Sequence, residues 1–306
     1  MVTSPAAPRY NTRFDPQTGT PVPVTDGIVR LTAPNPSAYT FTGTNTFILG
    51  RDRVAIMDPG PKDPLHERAI LAAVGGRQVD AVLLTHTHRD HSALARSLAD
   101  RLGAPIWFGG PHRLSRPLRR FEFNPVRRSG DWTLVPDRTL VDGEVFEAGD
   151  LPLSVHATPG HCANHLAFGV VGTDILLSGD HVMGWSSTVV AAPDGSMAHY
   201  LASLDKLIAL PFSHYLPAHG GAIEDGPAHA AALRAHRLLR NRQVLDAVAD
   251  GARSVGAVVA AIYPDQSAKV RMAARMTIMA HVEYLEALGQ LRVTRSLLGT
   301  RLLPAA

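Results

Sequence analysis

From about residue 40 to residue 220, short apolar runs bounded by Gly, Pro or Asp alternate with stretches of helical periodicity, and few folds accept that rhythm. Residues 54–57, 81–84, 105–108, 153–156, 166–171 and 174–177 read as buried strands. Between them, Asp63 and Pro64 read as an N-cap followed by proline at the first helical position, opening a helix to about Val74. Residues 92–102 space Leu94, Leu98 and Leu102 four apart and then meet Gly103, a helix stop. Residues 196–210 set Met197, Leu201, Leu204 and Ile208 on one stripe. The alternation predicts a layered α/β domain, sheets inside and helices outside.

The 306 residues suit one large domain and a small one. Residues 1–24 read as an extended N-terminal arm without the apolar segment of a signal peptide, and residues 25–225 as the main domain. Residues 109–150, rich in Arg, Pro and Gly, leave the rhythm as a lid or rim. Within them Arg113, Arg116, Arg119, Arg120, Arg127 and Arg128 form either a solvated loop or a positive edge that steers an anionic substrate. In residues 226–306, Pro227 opens a long helix to about Asp250. A second helix over 254–263 stops at Pro264, a third runs from about Ala268 to Leu288, and the tail alternates around Gly299-Thr300. Three helices and a hairpin suggest a small C-terminal winged-helix domain.

The single cysteine, Cys162, excludes a disulfide framework and points to a reducing cytoplasm. No apolar run approaches the roughly 20 residues of a membrane span. The net charge of +3 is no nucleic-acid signature.

Between the strand at 81–84 and the helix at 92–102 stands Thr85-His86-Thr87-His88-Arg89-Asp90-His91. Imidazole nitrogen and carboxylate oxygen are the donors zinc accepts. His86 and His88, two apart in extended chain, point the same way, while Asp90 and His91 project from the turn into the helix. Three further groups lie near strand ends: His161 in ATPGHCANH, Asp180 in LLSGDH and His219 in LPAHGG. Jointly they fit one arrangement. His86, His88 and His161 take one ion, Asp90, His91 and His219 the other, and Asp180 lies between, since one carboxylate can bridge a metal pair about 3.5–4 Å apart.

The series HxHxDH, TPGH, SGD and PxHG resembles the metallo-β-lactamase superfamily over about residues 25–225. The resemblance implies an αββα sandwich and the seven-ligand site of the glyoxalase II and ribonuclease Z type. It also implies that Asp90 orients the nucleophile and that Asp58, in MDPG, supports the histidine loop from behind; a turn-forming Asp58 is the alternative. True zinc β-lactamases usually carry a cysteine ligand at the second ion. Here Cys162 merely follows His161 and reads as a small buried residue, so lactam hydrolysis is disfavoured. His165 reads as a hydrogen-bonded structural histidine, and His181 as either a proton donor to a leaving group or a packing residue. His66, His112, His199, His214 and His229 read as ordinary surface or helix residues.

GTNTFILG (43–50), MDPG (57–60), SGDHVMG (178–184), AHRLLRNRQVL (235–245) and the C-terminal module extend the likeness to the β-lactamase-like protein 2 family. That family includes a zinc-dependent endoribonuclease acting on single-stranded RNA, and relatives in biosynthetic clusters are thioesterases. The chain departs from it in the Arg-rich 109–135 segment and at Thr87, where Trp is common. The resemblance thus implies a hydrolase with two zinc ions, iron or manganese being alternatives, whose bridging hydroxide attacks an ester-type bond: an RNA phosphodiester first, an acyl thioester second. An iron persulfide dioxygenase and a non-catalytic nucleic-acid-binding protein rank below these. The expected partners are a small anionic or RNA substrate, no membrane and no duplex DNA. His236, Arg237 and Arg240 read as a solvated helix face or as the junction where the C-terminal module docks over the site or forms a homodimer.

Overall fold

The computed structural model describes residues 7–296 and 299–305; residues 1–6 of the expected arm lie outside them. The first sheet has seven strands in chain order: β1 (Val22–Thr25), β2 (Ile28–Thr32), β3 (Asn45–Leu49), β4 (Arg53–Met57), β5 (Gln78–Leu83), β6 (Ile106–Phe108) and β7 (Arg138–Thr139). The first four pair antiparallel and the rest parallel. The second sheet holds β8 (Val145–Ala148), β9 (Leu151–Ala157), β10 (Leu166–Val170), β11 (Ile175–Gly179) and β12 (His214–Pro217), with β12 at one edge beside β11. Ile28, Phe47, Met57 and Leu83 of the first sheet pack on Phe146, Leu153, Val155 and Phe168 of the second. Full burial of each such side chain stabilises the fold by about 1.5–3 kcal/mol, an upper range that overlooks collapse in the unfolded chain.

Helices cover both outer faces. Ile70 and Val74 of α1 (Pro64–Val74) and Leu98 of α3 (Ala95–Leu102) cover Leu31, Ile48 and Ile56. Tyr200, Leu204 and Leu207 of α4 (Met197–Ile208) and Leu233 of α5 (Gly226–Ala249) cover Leu176 and Tyr215. The caps follow local chemistry. Asp63 accepts from the N–H groups of Leu65 and His66, and Gly75 and Gly103 close their helices in the left-handed conformation. One expectation needs correction: the helix expected over 92–102 is two helices, α2 (Arg89–Ser92) and α3, because Asp90 and His91 already lie in the first turn after the strand.

The arm is not free. The N–H of Asn11 donates to the Gly184 carbonyl at 2.8 Å, the Arg30 guanidinium lies over the Phe14 ring, and the arm's end becomes edge strand β1. Residues 109–150 depart from the core only in part, since β7 and β8 return to the two sheets. The C-terminal part holds α5, α6 (Val255–Ile262), α7 (Ala268–Ala287) and the antiparallel pair β13 (Leu291–Ser296) and β14 (Gly299–Pro304). Val248, Val258, Val282, Leu285, Leu291 and Leu302 give it a core of its own. The residues joining the two strands, 297 and 298, lie outside the described residues. Among those described, no helix is long and apolar enough to cross a membrane.

The Arg-rich segment divides by role. The Arg116 guanidinium donates to both Glu122 oxygens, at 2.6 and 2.7 Å, and to Glu283 on α7 at 3.0 Å; Arg119 donates to Glu283 at 2.6 Å. These groups are mostly buried, so each bond stands in reduced dielectric and fastens the segment to α7. Glu283→Gln should lower stability by about 1–2 kcal/mol, read as a lower urea midpoint, because the guanidinium pair loses its shared anion. An unchanged midpoint would show that the cluster does not clamp α7.

Candidate metal centre

At the C-terminal ends of β4 and β5 the chain turns toward one corner of the sandwich. Asp58, the residue after β4, has a positive φ of 50°, a conformation Asp tolerates better than most side chains. Its buried carboxylate accepts from the Thr85 N–H at 2.8 Å, from the Thr85 hydroxyl at 2.7 Å and from His91 Nδ1 at 2.9 Å. The Thr85 hydroxyl, having donated to Asp58, accepts from His86 Nδ1 at 3.0 Å. One carboxylate therefore fixes two imidazoles.

The other histidines are held in the same way. His161 Nδ1 donates to the Val189 carbonyl at 2.7 Å, His219 Nδ1 to the Gly43 carbonyl at 3.1 Å, and His88 Nε2 to Asp194 at 3.0 Å. These partners place the proton on the remote nitrogen of each ring and turn the other nitrogen inward. His86 Nε2 and His161 Nε2 lie 3.1 and 2.8 Å from His88 Nδ1. His91 Nε2 and His219 Nε2 lie 3.5 and 3.4 Å from Asp90 Oδ2. Asp180 faces both groups: Oδ1 is 3.5 Å from His91 Nε2 and 3.3 Å from His219 Nε2, and Oδ2 is 3.6 Å from His161 Nε2.

Thus all seven sequence-selected groups meet, as two clusters with Asp180 shared between them. His91 Nε2, His219 Nε2 and Asp180 Oδ1 are buried without a hydrogen-bond partner. Polar atoms left without a partner at that depth are costly, and a cation between them would satisfy all three. The donor set of imidazoles and carboxylates suits zinc and also iron or manganese.

Electrostatics separate the two clusters. Burial, followed by the neighbouring His88, pushes His161 down to about 4, and burial likewise takes His86 well below the usual range. In the other cluster burial works the same way, but carboxylates outweigh it: Asp180 and Asp90 raise His219 to about 9, and Asp90, Asp180 and Asp58 raise His91 well above an ordinary histidine. Both Asp90 and Asp180 are held below the carboxylate range despite a burial penalty, by His91 and His219.

The supporting residues bring further findings. His165, fully buried, accepts the Asp180 N–H at its Nε2 (3.1 Å) while its Nδ1 meets Thr158 Oγ1 at 2.8 Å. Gly179 has φ +53°, and a Cβ there would stand 2.6 Å from His165 Nε2, so the glycine of SGD is what lets that ring support Asp180. His181 is fully buried against Tyr200 and lines neither cavity near the site, which favours packing over proton donation. Cys162 is buried, with its thiol on Asn164.

His112 and His66 are corrections. Both are buried: His66 bonds Thr46 at 2.8 Å, and His112 bonds Asp194 at 2.9 Å and Thr87 at 2.9 Å. Asp194, bonded to both His88 and His112, escaped sequence reasoning because Pro-Asp-Gly reads as a turn. Arg237 is also buried, donating to the Thr188 carbonyl beside the Asp180 loop, whereas Arg240 lies over Tyr263.

Above the seven groups opens a cavity of about 440 Å³. His88, Asp90, His161 and Asp180 form its floor, and its walls include Tyr39, Val126, Met183, Val189 and Met276 of α7.

The chain has known relatives in sequence and in fold. The profile described as "Metallo-beta-lactamase superfamily" matches residues 39–219. An atrochrysone carboxyl ACP thioesterase of Aspergillus chevalieri is 31% identical over 229 residues, which cover 74% of this chain and 67% of that protein. The beta-lactamase-like protein 2 homolog of Drosophila melanogaster is 26% identical over 284 residues, 89% of this chain and 92% of the relative. The crystal structure of a beta-lactamase domain protein from Burkholderia ambifaria superposes with a TM-score of 0.81 at 24% identity, over 97% of each chain, and shows the same fold.

Asp194→Asn should weaken metal affinity about 10–100-fold, since Asn cannot accept from both His88 and His112; competition with a chromophoric chelator measures it. An unchanged affinity would mean that His88 needs no such support. The second test is pH. Because His219 rises to about 9 from an unfolded value near 6.5, its ion pairs stabilise the chelated protein fully below about pH 6.5 and fade as pH climbs through about 9. The gap in Tm between the wild type and His219→Asn, both in chelator, should therefore narrow from pH 6.5 to pH 9.5. A widening gap would refute a charged His219.

Proposed function

Because the chain belongs to the metallo-beta-lactamase superfamily of hydrolases, we propose that its two clusters hold two zinc ions and that it hydrolyses acyl thioesters. The observation that carries the two-metal reading is the convergence of inward-turned, partnerless nitrogens and of both Asp180 oxygens on two neighbouring points. His86, His88 and His161 would hold one ion, Asp90, His91 and His219 the other, with Asp180 between them. When bound, such ions supply Lewis acidity and lower the pKa of a water molecule to about 7. Asp90, whose side chain is 30% exposed against 0–11% for the other six, would accept the hydrogen bond of that water and orient it toward the cavity. Asp58, Asp194 and His165 keep the ligands in register from behind.

The choice of bond rests on the cavity. Its walls are mostly apolar, suited to an acyl chain. Apart from the metal-facing groups, Tyr39 is the one side chain among those lining residues that could act as a general acid. A thioester expels a thiolate, whose conjugate acid has a pKa of about 8.5 and which leaves without protonation. A ribose alkoxide is far more basic and needs a donor. This reverses the order that the sequence resemblance suggests. The endoribonuclease reading stands second, supported by the length of the match to the beta-lactamase-like protein 2 homolog. We read the three helices and hairpin after residue 225 as a winged-helix module docked over the site rather than on duplex DNA, in keeping with Met276 in the cavity wall.

The zinc-loaded protein should cleave an acyl-CoA or lactoyl-glutathione thioester and lose the activity with chelator. Asp90→Asn should lower kcat by on the order of 10²–10⁴. A single-stranded oligoribonucleotide and a chromogenic cephalosporin, assayed beside them, should stay intact. Cleavage of the oligoribonucleotide alone would replace the thioesterase reading, and one iron per chain would overturn the two-metal site.

A further inference from the structure

Beside the metal-side cavity lies a second one of about 450 Å³, sharing Arg89 and Pro125 with it. Arg127, Arg128, Phe123 and Trp132 form much of its remaining wall. The arginines of this segment are otherwise engaged: Arg113 on backbone carbonyls, Arg116 and Arg119 on Glu122 and Glu283, Arg120 over Phe121. Arg127 and Arg128 form no ion pair among the described residues and stand exposed. The carboxylate that acts on Arg89, that of Asp131, is turned to Thr133 and the Leu134 N–H. Two aromatic rings are exposed at the same place, Phe123 at 78% and Trp132 at 40%, and the Trp132 indole N–H is fixed on the Arg127 carbonyl at 2.8 Å.

Three arginines lining one cavity make a site for a phosphate, which arginine binds through paired N–H donors. Exposed rings beside them offer flat apolar surface to the chain that carries the phosphate. The cavity opens next to the floor where the acyl carbon would lie. We propose that Arg89, Arg127 and Arg128 bind the phosphate of a phosphopantetheine arm, so that a phosphate at one end and a thioester at the other are recognised in adjoining cavities. The inference rests on the thioesterase reading for the arm's identity. A single phosphate fits better than an RNA strand: of the adjoining cavities one is mainly apolar, and in the other, which shares Phe123 and Pro125, Arg119 and Arg295 are already paired with Glu283 and Glu286.

Isothermal titration of the zinc-loaded full chain with 4′-phosphopantetheine and with pantetheine tests it, the shared thiol cancelling any contact with metal. Phosphopantetheine should bind at least 10-fold more tightly, and the ratio should fall to within twofold in Arg127→Ala/Arg128→Ala. Arg128→Glu alone, checked for an unchanged Tm, should cost phosphopantetheine at least 10-fold and pantetheine nothing. Equal affinity of the two probes for the native protein, or a ratio that survives the double variant, overturns the subsite. So does a single-stranded oligoribonucleotide that binds the same arginines more tightly than phosphopantetheine. Coenzyme A binding 10-fold more tightly than phosphopantetheine supports the subsite with a nucleotide-borne arm; equal binding supports it with a carrier-protein arm. Arginine-dependent phosphopantetheine binding without thioester hydrolysis would keep the subsite and remove only the thioesterase reading.

Discussion

The Asp58 carboxylate is the contact on which the site's construction depends. It sits in left-handed backbone just after β4 and reaches Thr85, the second residue after β5, so it measures the separation of two parallel strands at their C-terminal ends. Through its direct bond it fixes His91, a member of one cluster; through the Thr85 hydroxyl it fixes His86, a member of the other. A change of strand register here would move both clusters together. That common anchor holds two sets of candidate metal-binding groups from distant parts of the chain at a constant spacing.

The C-terminal helices act on the same site from outside. Arg237 of α5 enters behind the Asp180 loop and donates to the Thr188 carbonyl, while the Thr188 hydroxyl donates to the Asp180 carbonyl. Met276 of α7 forms part of the cavity wall, and Glu283, further along the same helix, anchors Arg116 and Arg119 of the segment that closes the other side. Loss of the C-terminal part would therefore remove a wall of the substrate cavity and free the Arg-rich segment at once. Packing and function are coupled through these few polar contacts.

Much of this was readable from local chemistry. Strand, histidine run and helix stand in their order because a buried apolar strand, an extended His-x-His and an amphipathic helix each leave a short-range pattern. Caps such as Asp63-Pro64 and Gly103 are equally local. What escaped reading depends on contacts far apart in the chain. His112 looks like any histidine in an Arg-rich loop until Asp194, 82 residues later, closes on it. Thr87 stands out in sequence only as a departure from its nearest relatives. In the structure its hydroxyl joins His112 and Asn164 in the layer that supports His88. The Arg-rich segment likewise could not be divided by composition, because the carboxylate that engages Arg116 and Arg119 comes from α7, more than 160 residues on.

The charges of the second cluster explain how so many polar groups can be buried together. Asp90 and Asp180 are held toward their ionised forms there and His91 and His219 toward their charged forms, while the Asp58 carboxylate backs His91, so carboxylates and imidazoles offset one another. That balance limits the cost of burial, because each ion is desolvated beside a partner of opposite sign. A divalent cation entering the cluster must displace both imidazolium protons, since only a neutral ring can donate its lone pair. The exchange puts two positive charges in place of two.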